Sequence, residues 1–127
     1  MSARVVHFEV PYDDAERAAA FYRTVFGWEV NAVPELGYTL VQTGPTTEEG
    51  MPTEPGFIGG GMLERQDPIN TPVITLHVDN MDAAIAAVTA NGGAAVGETV
   101  PVGDMGIAAY FTDSEGNLMG LWQSLQG

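Results

Sequence analysis

Between Val5 and Val10 two kinds of side chain alternate, with Val6, Phe8 and Val10 on one side and Val5, His7 and Glu9 on the other. A period of two residues is that of a half-buried strand. The polar pair Asp13-Asp14 follows, and then an alanine-rich run in which Ala18, Phe21, Tyr22 and Val25 recur at helical spacing and predict one buried stripe. Asp13 with Glu16 three residues on predicts a capping box at the helix start. Gly27 suits the left-handed position just after a helix end. Three more strands are predicted around 28–33, 37–43 and 57–64, so the order is β-α-β-β-β.

The same order returns in PVITLHVDNMDAAIAAVTANGGAAV. A strand of alternating apolar residues leads to Asp79-Asn80, then to a helix with the stripe Met81, Ala84, Ile85 and Val88, and then to Gly92-Gly93. Strands are predicted around 94–100, 107–112 and 118–123. A chain of 127 residues with this internal repeat reads as one domain over 1–127, with a first module at about 4–65 and a second at about 73–125. Residues 66–72, QDPINTP, carry two prolines and an asparagine and suit a linker. Residues 43–56 form the longest irregular stretch, either a lid over a site or a surface loop.

Composition narrows the function classes. Hydrophobic residues make up 45% of the chain, enough for a packed core. Seventeen acidic residues stand against four basic ones, a net charge of −13. Neutralising nucleic-acid phosphates needs Lys and Arg, so nucleic-acid binding is excluded as an expectation. An acidic surface repels anionic membranes and attracts cationic ligands. No apolar run approaches the length of a membrane span, and no basic-plus-apolar leader is visible, so a cytoplasmic protein is expected. The chain has no cysteine, which removes disulfides, thiolate metal sites and thiol nucleophiles. GFIGGG is not a dinucleotide fingerprint, and no phosphate-binding loop or serine–histidine–acid ordering is present.

The β-α-β-β-β repeat resembles the vicinal oxygen chelate superfamily, the group of glyoxalase I, bleomycin-resistance proteins and extradiol dioxygenases. The residues that carry the likeness are His7, Asp14, Ala20-Phe21-Tyr22, Phe26-Gly27 and Asp113-Ser114-Glu115-Gly116-Asn117, in that order and spacing. The resemblance implies an α+β fold in which the two modules form an incomplete barrel with a concave cleft and the helices outside. It also implies a homodimer, a state that would cover open sheet edges as well. Enzymes of the family hold one divalent metal in the cleft, with ligands from the first and last strands of each module.

By that comparison His7 matches the first metal-ligand position. The corresponding place in the second half is Val73, the family's glutamate falls at Gly120, and the last strand of the first half offers only Gly59-Gly60-Gly61. One of four ligand positions is filled, whereas a divalent site wants three or four donors. The expectation is therefore no cofactor and no metal. A rearranged site from His7, Glu9 and His77 is the alternative, with His7 and Glu9 the candidate catalytic groups.

Strand parity places His7 and Glu9 on the cleft side, with His77 on the same strand face as Val73. Tyr110 and Trp122, the latter sharing a face with Gly120, would give the cleft aromatic walls, and Gly60 in the glycine run would give a roomy floor. Met62 and Met105 are expected at the rim, Phe111 under a helix and Trp28 in packing. The ligand-binding candidates are thus His7, Glu9, Gly60, His77, Tyr110 and Trp122. The composite reading is a small-molecule binder with a metal-free cleft, taking a cationic or aromatic ligand. The alternatives are a metal-dependent lyase, isomerase or dioxygenase of the glyoxalase type, and an accessory dimer without a ligand.

Overall fold

A computed structural model describes residues 2–48 and 51–125. Eight strands and two helices follow one another as the repeat requires. The first module runs β1 (Val5–Tyr12), α1 (Ala15–Phe26), β2 (Glu29–Val33), β3 (Tyr38–Gln42) and β4 (Gly59–Glu64). The second runs β5 (Val73–His77), α2 (Met81–Ala90), β6 (Ala94–Val102), β7 (Gly106–Thr112) and β8 (Leu118–Ser124). The fold is α+β. Every predicted strand and helix is present, with ends shifted by one or two residues. In the loop at 43–56, Thr46 bridges Pro52, and Glu49 and Gly50 lie outside the described residues.

The chain divides into two compact units, one of residues 7–72 and the other of residues 2–6 with 73–125. The early residues join the later unit because the His77 backbone N–H donates to the Arg4 carbonyl at 2.8 Å. Both units have the same strand pairing. In the first, the order is β2-β3-β4-β1, antiparallel except for the parallel pair β4–β1. In the second, the order is β6-β7-β8-β5, with the parallel pair β8–β5. A parallel pair needs a long crossover. In each unit the first strand returns through the helix and two antiparallel strands before its partner arrives.

Each helix covers one face of its own unit. Under α1 lie Val30, Val41 and Met62, with Phe8, Val10, Tyr12 and Trp28 around them. Under α2, Met81 packs on Ala109, Phe111 and Leu121, joined by Leu76, Ala84, Ile85 and Val88. The stripe expected on α2 is the one observed, and Phe111 sits under that helix. The stripe on α1 differs. Ala18, Ala19 and Tyr22 face the sheet, while Phe21 and Val25 are 53% and 54% exposed. Tyr22 stacks on Trp28 at 4.7 Å with the rings 5° from parallel, and this contact sets how far the helix is rotated.

The caps also differ slightly from expectation. Asp14, not Asp13, caps α1, its carboxylate accepting from the Arg17 N–H at 3.0 Å. Asp13 instead takes the Arg65 guanidinium at 2.9 Å. Asn80 caps α2 in the same way, accepting from the Ala83 N–H at 2.9 Å. Gly27 ends α1 with φ +70°, the left-handed conformation that a side chain resists.

Candidate functional site

In the unit of residues 7–72, cross-strand register decides which residues share a face. Glu9 is paired with Gly61, which is paired in turn with Leu40. His7 is paired with Gly59. Alternation then puts His7, Glu9, Gly59, Gly61 and Tyr38 on the face away from α1. The intervening positions go to the helix side. Phe8 is paired with Gly60, and Val10 with Met62.

This corrects two expectations. Gly60 is not on the face of His7 and Glu9: its missing side chain makes room for the Phe8 ring, whose nearest carbon lies 2.7 Å from where a Cβ would stand. Met62 is not a rim residue but is 2% exposed within the core under α1. Both follow from a one-residue difference in strand parity. Met105 is 48% exposed.

The glycine that shapes the face of His7 is Gly61. A Cβ there would overlap the Tyr38 hydroxyl and ring. The bare backbone therefore serves as the floor on which Tyr38 lies. From that seat the Tyr38 hydroxyl donates to Glu9 Oε2 at 2.7 Å and stands 2.9 Å from His7 Nε2. The His7 and Tyr38 rings are near-parallel, 24° apart. Glu9 is 8% exposed, so its carboxylate relies on hydrogen bonding, and Tyr38 supplies one such bond. The sequence reading missed Tyr38. Its signal was the tyrosine at the start of β3 set against a glycine run in β4.

The other unit gathers the remaining candidates. Thr75 is paired with Gly120 and His77 with Trp122 on one side of β8. On its other side Gly120 is paired with Tyr110 and Trp122 with Ala108. His77, Tyr110 and Trp122 thus share the face away from α2. Gly120 does not open empty space, because Thr75 Oγ1 lies 2.7 Å from the place of a Cβ. Trp122 lies against Gly106 in the same manner, with ring carbon Cζ2 at 2.5 Å from the place of its Cβ.

Among the described residues no three His, Cys, Asp or Glu side chains converge as metal ligands. His7 Nε2 and Glu9 Oε2 both meet the Tyr38 hydroxyl. Two donors engaged by a phenol do not fit a divalent ion that wants three or four.

With this geometry in place, likeness to known proteins is decisive. Residues 4–44, which hold His7, Glu9 and Tyr38, match the family model described as bleomycin resistance protein-like N-terminal. A glyoxylase-like domain-containing protein of Didymella fabae is 32% identical over 122 residues, covering 92% of this chain and 91% of that protein. The chain belongs to the glyoxalase/bleomycin-resistance family of the vicinal oxygen chelate superfamily. A protein of Mycobacterium tuberculosis named as a glyoxylase is 32% identical over 116 residues, and this chain spans 42% of its length. Among solved structures, a protein from Bacillus halodurans matches with a TM-score of 0.67 at 16% identity, covering 100% of this chain and 98% of that one. A methylmalonyl-CoA epimerase of Streptomyces coelicolor matches with a TM-score of 0.66 at 19% identity, covering 99% and 97%. At such identities the likeness is one of fold.

The vicinal oxygen chelate signature at 113–117 has a structural role here. Asp113 Oδ1 accepts from the backbone N–H groups of Glu115 and Asn117, both at 2.9 Å, and Oδ2 accepts from the Asn117 side chain at 3.0 Å. These bonds, the Asn117 side chain foremost, hold the Asp113 carboxyl below its usual pKa. They close the turn between β7 and β8.

His7 titrates abnormally. Burial pushes its pKa below the usual 6.5, and the neighbouring Glu9 charge opposes this only in part. The unfolded chain therefore binds the proton more readily than the folded one just below pH 6.5. His7 contributes stability that is fully present above that pH and is lost as pH falls through the lowered folded value. Chemical denaturation from pH 7.5 down to 5 should show this slope, and His7→Gln should flatten it. An identical slope in His7→Gln would show that other groups carry it.

No helix among the described residues is long and apolar enough to cross a membrane.

Proposed function

We propose that this chain binds a small organic molecule on the face of β1, β3 and β4 that lies away from α1, and that it holds the molecule with side chains and not with a metal. The observation that supports this reading is the Tyr38 hydroxyl, which joins His7 to Glu9 above Gly61. A buried carboxylate, a phenol and an imidazole form a rigid polar anchor, and such anchors set orientation in ligand sites. The acidic balance of the chain, −13, favours cationic ligands over anions.

The test combines two measurements on the purified protein. Elemental analysis follows incubation with zinc, nickel, manganese and iron(II). A thermal-shift screen of small organic cations and aromatic compounds is then followed by calorimetric titration of hits. The expected result is no retained metal and at least one organic hit whose affinity falls by about tenfold or more in His7→Ala, the size of one lost hydrogen bond to a polar anchor. A near one-to-one metal lost in His7→Ala would overturn the reading in favour of a metal-dependent enzyme. Hits that bind His7→Ala as well as wild type would place the site elsewhere.

A further inference from the structure

We infer that the chain of bonds Glu9–Tyr38–His7 selects the class of ligand, requiring a molecule that donates an N–H hydrogen bond to His7 Nδ1. This rests on the reading that the face binds a small molecule. The argument is a count of protons. A phenol carries one, and Tyr38 gives it to Glu9 Oε2 at 2.7 Å. Towards His7 the Tyr38 oxygen can then only accept. The 2.9 Å contact is therefore a bond donated by His7 Nε2–H. A neutral imidazole with its proton on Nε2 has a bare lone pair on Nδ1.

Nδ1 is open to that role. It has no hydrogen-bond partner among the described residues, yet no buried side-chain nitrogen or oxygen among them lacks one, so Nδ1 reaches solvent. An anionic ligand would set its charge against a lone pair and the Glu9 carboxylate. It would also find little compensation, because basic side chains are few and three of the four are engaged. Of the four arginines, Arg17 pairs with Asp14, Arg23 donates to the Val30 carbonyl, and Arg65 is shared by Asp13 and the Asn70 carbonyl. The chemistry that fits is an N–H cation, a primary ammonium or an amidinium. Tyr38 and Glu9 are positioning residues, acting through the tautomer of His7.

Long-range nitrogen–proton NMR of His7 at pH 8 reads the tautomer directly. Wild type should show the proton on Nε2. Glu9→Gln, whose amide oxygen still accepts from Tyr38, should keep it there, while Tyr38→Phe should shift it toward Nδ1. Titration with benzylamine and with benzoate as probes should move the His7 Nδ1 signal for benzylamine only, with affinity about tenfold weaker in Tyr38→Phe. A wild-type proton on Nδ1 overturns the inference, and so does benzoate binding at His7 as tightly as benzylamine. Either result leaves the binding reading standing if the screen yields a ligand sensitive to His7→Ala. A screen without such a ligand strikes that reading, whatever the tautomer.

Discussion

Gly61→Ala is expected to evict Tyr38 from its seat while leaving the fold intact. The added Cβ would overlap the Tyr38 hydroxyl and ring. These atoms are the far end of a side chain, so the ring swings away and the backbone of β4 need not move. Overpacking of this kind costs about 1–3 kcal/mol. The second consequence is chemical: Glu9, 8% exposed, loses the Tyr38 proton, and His7 loses its acceptor. Urea denaturation should register the stability loss, and the His7 side-chain NMR signals should resemble those of Tyr38→Phe. Unchanged stability together with wild-type His7 signals would mean that Gly61 is not what seats the ring.

Met62→Ala, one residue along the same strand, should do the opposite. Met62 is 2% exposed and packs with Val30 and Val41 beneath α1. Truncation there removes apolar contacts and leaves a cavity, at a cost of about 2–5 kcal/mol. Natural domains hold roughly 5–15 kcal/mol in all, so the urea midpoint should fall steeply. The His7 signals should persist under conditions where the variant stays folded, because successive strand residues point to opposite faces. A loss below about 1 kcal/mol would show that the core under α1 collapses around the gap. Taken together, the two variants separate the site from the packing that supports it.

The recurring β-α-β-β-β order was legible because its signals are local. Alternation in Val5–Val10, helical spacing in Met81–Val88 and the glycine after α1 each involve neighbours within a few residues. Family likeness was legible for the same reason, carried by short motifs in a fixed order. The α2 stripe read correctly because its large apolar residues, Met81, Ile85 and Val88, lie on one side. On α1, Phe21 is as apolar as Tyr22, and the choice between them depends on Trp28 stacking from outside the helix. No local pattern contains that contact.

The site was legible by halves. His7 and Glu9 were identified as neighbours on one strand face, and the structure places them so. Gly60 was chosen from three adjacent glycines that composition cannot tell apart. Which glycine faces which side depends on the pairing of β4 with β1, and a shift of one residue exchanges the faces. Tyr38 lies 31 residues from His7 and 29 from Glu9.

The sequence by itself thus determined the repeat, the α+β class and the family, because each is written in residue type and short-range spacing. Only the tertiary structure decided the rotation of α1, the burial of Met62 and the meeting of His7, Tyr38 and Glu9 over Gly61. These depend on register between strands far apart in the chain, which is set by the packing of the whole sheet and not by any one segment.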